Sequence, residues 1–219
     1  MNGQELNELA TQYLTDKDYE NALKYYLEAS DQGNFYAMYN LACMYYFGDG
    51  VEKNESTSLE WFERAARHGD PEGANRAGVM YENGIGTGRD LKKAFAYYTE
   101  SAEEHSLSGM ANLGLCYLEG KGTAADVSSG LDWMEKASAG GNGIASLTMG
   151  DYYRDGNYVE KNYVTARKYY ERGQKQKYAP AMIRLAELYE KGLGAAVDGE
   201  KGRMLRKLAE ETADSEQED

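Results

Sequence analysis

Apolar and polar residues follow one another along the chain with the spacing of short amphipathic helices. Between residues 34 and 47 the apolar positions recur at intervals of three and four, which predicts a helix with one buried stripe made of Ala37, Leu41, Met44 and Tyr45. We expect this helix to end at the loop Gly48-Asp49-Gly50, because glycine readily takes the left-handed conformation that terminates helices.

A second helix is predicted over residues 55–68, which would bury Trp61, Phe62 and Ala65. Asn54 stands just before it and supplies a side-chain acceptor for the unpaired N–H groups of its first turn. Residues 34–69 therefore indicate a pair of helices joined by a glycine-rich loop.

This pair recurs five times with a period of 36 residues and no insertion or deletion. The recurring columns are Tyr45, Tyr81, Tyr117, Tyr153 and Tyr189; Gly48, Gly84, Gly120, Gly156 and Gly192; Ala42, Gly78, Gly114, Gly150 and Ala186; and Asn54, Asp90, Asp126, Asn162 and Asp198. A fixed register over several copies is typical of a solenoid, which presents an extended binding surface. We interpret the small column as the closest approach of the two helices, with the tyrosine three residues later covering the gap.

From Asn34 onward the pattern resembles the Sel1-like repeat of the tetratricopeptide-repeat superfamily. That repeat reads Ala-x-x-x-Leu-Gly-x-x-Tyr, then Gly-x-Gly, then Asp-x-x-x-Ala-x-x-Tyr/Trp, and residues 70–105 carry it most fully, with Gly78, Tyr81, Gly84, Gly86, Asp90, Ala94, Tyr97, Tyr98 and Ala102. The resemblance covers residues 34–213, with local departures such as Tyr158 in place of the second loop glycine. The first 33 residues resemble a tetratricopeptide repeat through Leu9, Ala10, Tyr13, Ala22, Tyr26 and Ala29.

We therefore predict an all-α fold, a right-handed α-solenoid of about six antiparallel helix pairs. The expected organisation is a single array over residues 1–213, with units 1–33, 34–69, 70–105, 106–141, 142–177 and 178–213. Residues 211–219 add five acids, and residues 214–219 are expected to form an acidic disordered tail.

The composition of the chain indicates its cellular location and disfavours some classes of partner. The net charge is −13, and no basic patch follows the array, so nucleic acid and acidic membrane surfaces are disfavoured as partners. No signal peptide or transmembrane run is visible, which predicts a soluble cytoplasmic protein. Residues 1–69 hold 12 acids and 5 bases, whereas residues 178–210 hold 5 acids and 6 bases. This asymmetry is either a device for solubility or a means of steering a basic partner segment to the N-terminal half.

Cysteine and histidine give no clear site. In a regular solenoid Cys43 and Cys116 lie two repeats apart, beyond the Cα separation of about 7 Å that a disulfide requires, which favours a reducing compartment. Cys116 falls in an apolar column and Cys43 in a surface-like one, where a reactive thiol is the less favoured alternative. His68 and His105 end second helices without metal-ligand spacing, so no metal or other cofactor and no catalytic residue are predicted.

The resemblance implies that the first helix of each pair lines a concave face, through positions two, five, six, nine and twelve counted from the second residue of each unit. The candidate ligand-binding residues on this face are Tyr36, Tyr39, Asn40, Tyr46, Asn75, Arg76, Asn112 and Arg184. Asn and Arg at the sixth position are suited to gripping a peptide backbone or terminal carboxylate, and tyrosine is favoured at binding hot spots. The alternative is an ordinary solvated groove.

The resemblance implies a non-enzymatic adaptor or scaffold that binds a protein or peptide, as Sel1-like proteins commonly do in bacterial signalling, host interaction or protein quality control. The alternative is a regulatory or inhibitory subunit that wraps a specific enzyme. Hydrolysis, claimed for some secreted relatives, is disfavoured because no nucleophile–base pair is evident. Charged Lys201, Arg203, Arg206 and Lys207 on the last helix predict a polar cap and a monomer.

Overall fold

The computed structural model describes residues 1–215, and within them the chain forms twelve helices. They are α1 (Gly3–Thr15), α2 (Tyr19–Asp31), α3 (Phe35–Phe47), α4 (Glu55–Arg67), α5 (Pro71–Asn83), α6 (Leu91–Glu103), α7 (Leu107–Glu119), α8 (Val127–Gly140), α9 (Gly143–Asp155), α10 (Tyr163–Lys175), α11 (Ala179–Lys191) and α12 (Gly199–Ser215). The predicted all-α solenoid of six antiparallel helix pairs is confirmed. Helix α12 continues to Ser215, so the first residues of the segment expected as a disordered tail are helical, and residues 216–219 lie outside the described part.

The recurring sequence columns account for the helix boundaries. Asn54 caps α4 by accepting a 3.0 Å hydrogen bond from the backbone N–H of Thr57, and Gly48 ends α3 with a φ of 84°. The same cap residue donates its own backbone N–H to the carbonyl oxygen of Tyr45 at 2.8 Å, a bond repeated in every later pair. The tyrosine and Asn/Asp columns thus close the loop between the two helices of a pair.

The small column lies where the two helices of a pair approach most closely, as predicted, but the residue that covers it was predicted wrongly. A Cβ atom at Gly78 would lie 2.7 Å from the ring of Tyr98, and one at Gly114 would lie 2.8 Å from Cγ of Met134. The covering side chain therefore comes from the second helix, twenty residues on. Tyr81, three residues after Gly78, instead stacks on Tyr97, with 5.7 Å between ring centroids.

The second glycine of each loop meets the preceding pair. A Cβ at Gly86 would collide with the backbone of Glu55 at the start of α4, and Gly86 has a φ of 67°. Tyr158 occupies the equivalent position with a φ of 62°, and its ring packs edge-on against Tyr152 at 5.1 Å. The substitution is therefore accommodated in the left-handed conformation with an exposed side chain.

The chain divides into two compact units. The first contains Met1–Gly109 with Lys121–Thr123, and the second contains Met110–Gly120 with the residues from Ala124 onward. The core of the first unit includes Ala10, Tyr26, Leu41 and Met44, all at most 1% exposed. That of the second is built around buried Met134, Met149, Tyr170 and Leu185. Each unit has its own buried core of alanine, tyrosine, leucine and methionine, which fixes the first helices that carry the candidate site.

Candidate functional site

The predicted site residues fall on first helices of both units. Helices α3 and α5 of the first unit carry Tyr36, Tyr39, Asn40, Tyr46, Asn75 and Arg76, and the second unit carries Asn112 on α7 and Arg184 on α11. We call the exposed side of these helices the first-helix face and describe it separately in each unit.

In the first unit, Arg76 and Tyr39 join α5 to α3. The guanidinium Nε of Arg76 donates a 3.3 Å hydrogen bond to the hydroxyl oxygen of Tyr39, 37 residues earlier. The ring of Tyr39 packs edge-on against Phe62 of α4, with 5.2 Å between centroids. Arg76 and the Tyr39 hydroxyl therefore form a polar contact at the surface, while the Tyr39 ring makes an apolar contact with the second helix, α4.

Beside this pair lies a small, largely apolar cavity of about 110 Å³. Its walls come from α3, α4, α5 and the loop after α5, and they consist of Tyr39, Cys43, Tyr46, Phe47, Phe62, Arg76, Val79, Met80 and Ile85. Arg76 supplies the single charged side chain among these lining residues. A cavity of this size suits one apolar side chain of a partner, with the guanidinium placed to meet a carbonyl or carboxylate beside it.

Burial keeps the cavity's thiol and phenol in their neutral forms. Desolvation raises the pKa of the Cys43 thiol above its ordinary value, and the nearby Arg76 charge only partly offsets this. Desolvation likewise raises the pKa of Tyr39, against the opposing hydrogen bond from Arg76. A thiol whose pKa is raised is a poor nucleophile at neutral pH, so the alternative of a reactive Cys43 loses support.

Other predicted residues of the first unit have different surroundings. Asn40 donates a 3.3 Å hydrogen bond from Nδ2 to Oδ1 of Asn7 on α1, a residue that the sequence argument missed. Asn75 is only 6% exposed, which leaves little of its side chain for a ligand. Tyr36 is 54% exposed and packs against Phe35 rather than lining the cavity. Of the three predicted tyrosines, the structure therefore brings Tyr39 and Tyr46 together at the cavity.

In the second unit, Arg184 lies within a network of charged side chains. Its guanidinium is 3.6 Å from Asp151 and 3.4 Å from Glu187. Asp151 also contacts Arg154 at 2.9 Å and accepts a 2.7 Å hydrogen bond from the hydroxyl of Tyr170. A ligand that binds Arg184 must therefore compete with these carboxylates. Asn112 is half-buried on α7.

The described residues offer no metal centre and no membrane span. Within residues 1–215, no group of three or more His, Cys, Asp or Glu side chains is placed to hold a metal ion. None of the helices in that range combines the length and apolar character needed to cross a bilayer.

Comparison with known protein families gives a match over most of the chain. The family model described as Sel1 repeat matches six times, at residues 8–34, 35–70, 71–106, 107–142, 145–176 and 179–210. Among curated proteins, protein sel-1 homolog 2 of Mus musculus is 38% identical over 79 residues, which are 36% of this chain and 12% of that protein. The chain therefore matches only a small part of this relative's length.

Two solved structures share the fold over nearly the whole chain. One is c5321, described as a protective antigen present in uropathogenic Escherichia coli strains displaying an SLR fold. It has a TM-score of 0.85 at 28% identity and covers 95% of this chain and 46% of its own. The other, a Sel1 repeat protein from Oxalobacter formigenes, has a TM-score of 0.80 at 27% identity over 94% of this chain and 82% of its own.

Proposed function

The chain belongs to the Sel1 repeat family, and we propose that it is a non-enzymatic adaptor that binds a protein or peptide through its first-helix face. The observation that carries this proposal is the apolar cavity between α3, α4 and α5 with the Arg76 guanidinium among its lining residues. An apolar recess next to a charged donor is suited to one anchoring side chain and its adjacent main-chain or carboxylate oxygen.

The proposal places binding chiefly in the first unit. There Arg76 is exposed and hydrogen-bonds to Tyr39. In the second unit, by contrast, Arg184 contacts two carboxylates, Asp151 and Glu187, which already offset its charge. The excess of acids in residues 1–69 supports a partner with a basic segment outside the cavity, because opposite charges speed encounter. A reducing, cytoplasmic setting is part of the proposal and is supported by the two-cysteine composition.

The test is affinity capture from the native source with quantitative mass spectrometry. Wild type, Arg76→Ala, Val79→Phe and Arg67→Ala serve as baits. The first variant removes the charged donor, and the second fills the cavity. Arg67→Ala is the matched control, because Arg67 is also an exposed arginine of the first unit but lies on α4 and outside the cavity.

Proteins that are retained by wild type and Arg67→Ala but lost from both site variants support the proposal. Equal retention by all four baits contradicts it and moves binding to another surface. A single enzyme retained in stoichiometric amount and inhibited by the protein would favour the regulatory-subunit alternative over a general adaptor.

A further inference from the structure

Helix α12 exposes two large apolar side chains on its outer surface. Met204 is 67% exposed and Leu208 is 39% exposed, one turn apart, while Gly202, Leu205 and Ala209 form the buried side. Both side chains line a depression of about 460 Å³ that α12 forms with Gln174 of α10. This surface is independent of the first-helix face.

Large apolar residues occupy these two positions only in this second helix of the series. The column that ends in Met204 reads Lys24, Glu60, Ala96, Asp132, Lys168, and the column that ends in Leu208 reads Glu28, Arg64, Glu100, Lys136, Arg172. Polar residues therefore keep this side of the other second helices solvated, apart from the small Ala96. The large apolar residues of α12 are confined to two positions one turn apart, and the repeat pattern does not account for them.

Met204 and Leu208 lie on a different side of α12 from the positions at which the other second helices are buried against their neighbours. Leu59 and Ala66 of α4 are 5% and 4% exposed. Their equivalents in α12, Arg203 and Glu210, are both exposed and charged. Stacking of a further repeat would use that charged side, so it does not explain Met204 and Leu208.

The exposed stripe of α12 is complementary to itself. It runs Lys201, Met204, Leu208, Glu211, at intervals of three, four and three residues, which is the spacing of a coiled-coil seam. The stripe is symmetric about position 206, so a two-fold axis there places Met204 of one copy against Leu208 of the other. The same axis places Lys201 against Glu211. A surface patch that complements itself in this way is what an isologous dimer requires.

We infer that α12 pairs antiparallel with α12 of a second copy of this chain to form a weak homodimer. The seam is about 15 Å long by the helical rise of about 1.5 Å per residue, so the contact is small and the dimer dissociates on dilution. The charge of the helix does not oppose the contact, because α12 holds four acids and four bases in a chain whose net charge is −13.

The charged ends of the stripe are placed for this pairing. The Lys201 ammonium is held 2.8 Å from the Tyr189 hydroxyl and 4.1 Å from the centroid of that ring, contacts that leave donors available for a carboxylate. Glu211 lies 3.5 Å from Lys207 in an exposed pair, which a second lysine can join or replace. The two ends thus carry opposite charge at fixed positions.

Sedimentation equilibrium over a hundredfold range of concentration tests the inference. Wild type should pass from monomer to dimer within that range. Leu208→Glu should raise the dimer dissociation constant at least tenfold, because it places two carboxylates in the apolar centre of the seam. Leu27→Glu is the matched control, since Leu27 is 38% exposed on α2 and lies outside the seam. This control should dimerise as wild type does.

A charge exchange tests the antiparallel register itself. Lys201→Glu and Glu211→Lys each place like charges at both ends of the seam and should each weaken the dimer. Mixing the two variants should restore association as a heterodimer, because every end then pairs opposite charges. A wild type that stays monomeric throughout overturns the inference and agrees with the monomer predicted from the charged positions alone. A dimer unaffected by Leu208→Glu also overturns it.

Discussion

The hydroxyl of Tyr97 on α6 donates a 3.0 Å hydrogen bond to the carboxylate of Glu63 on α4, 34 residues earlier. The same carboxylate oxygen accepts a 2.6 Å hydrogen bond from the hydroxyl of Tyr81, whose ring stacks on that of Tyr97. Glu63 therefore links the second helix of one pair to both helices of the next. In the second unit, Glu135 accepts a 2.8 Å bond from Tyr169 in the equivalent position.

This relationship predicts that Glu63→Ala destabilises the protein by about 1–3 kcal/mol, because two partly buried hydroxyls lose a charged acceptor. Urea denaturation measures the free energy of unfolding. Glu60→Ala is the control, since Glu60 is an exposed glutamate on the same helix and should change that energy by less than about 0.5 kcal/mol. Equal changes in the free energy of unfolding for the two substitutions would contradict this prediction. Glu63 would then be an ordinary surface residue, as its polar position on a second helix suggests from the sequence alone.

Gly114→Val should also destabilise, by about 1–3 kcal/mol, through overpacking. A Cβ at Gly114 would lie 2.8 Å from Cγ of Met134 and 3.0 Å from the carbonyl oxygen of Gly130. The backbone atom cannot move aside as a flexible side chain can. Thermal unfolding checks the prediction, and an unchanged Tm would refute this packing role. Gly88→Val, at a glycine with no atom within 4 Å of an added Cβ and no positive φ, is the control.

Arg76→Ala should weaken partner binding without changing stability. Arg76 is exposed, so we expect a change of less than about 0.5 kcal/mol in unfolding, whereas loss of a charged hydrogen bond should cost about 1.5–3 kcal/mol of affinity. Isothermal titration with the captured partner measures this. Asn40→Ala and Asn112→Ala test the predicted backbone clamp in each unit separately, and Lys92→Ala, exposed on α6, is the control. Full affinity in the Arg76 variant together with a loss in the control would place the site on the second helices.

Alkaline pH should unfold the protein through its buried tyrosines. Burial raises the pKa of Tyr170, and the carboxylate of Asp151, 2.7 Å away, raises it further. Burial also raises the pKa of Tyr152 to about 12. Because these folded-state pKa values exceed the unfolded value of about 10, the stability they contribute is complete below pH 10 and is lost as pH rises above it.

Each such tyrosine contributes a slope of up to about 1.4 kcal/mol per pH unit. Tyr170→Phe should therefore make the loss of stability above pH 10 less steep, as followed by circular dichroism at a series of pH values. A slope in the Tyr170 variant equal to that of wild type would contradict the assignment.

The local architecture of this protein follows from its sequence, because it depends on residues close together in the chain. The 36-residue register, the Asn54 column of caps and the Gly48 column of helix ends predicted the helix pairs and their boundaries. Both signals are local. A capping side chain bonds a backbone N–H two or three residues later, and the left-handed conformation that ends a helix favours glycine at a single position.

The tertiary structure decided which side chains meet across pairs and across helices. It placed Tyr98 and Met134 over the small column and made Glu63 an acceptor for two tyrosines. It also placed Arg76 and Cys43 on the wall of one cavity and paired Arg184 with carboxylates. Apart from the contact of Arg184 with Glu187, which lie one turn apart, these contacts join residues 18 to 34 positions apart. They depend on rotamers and interhelical distances that a one-dimensional period does not contain. The sequence could mark a first-helix face, but only packing shows where that face has a recess and where its charges are already paired.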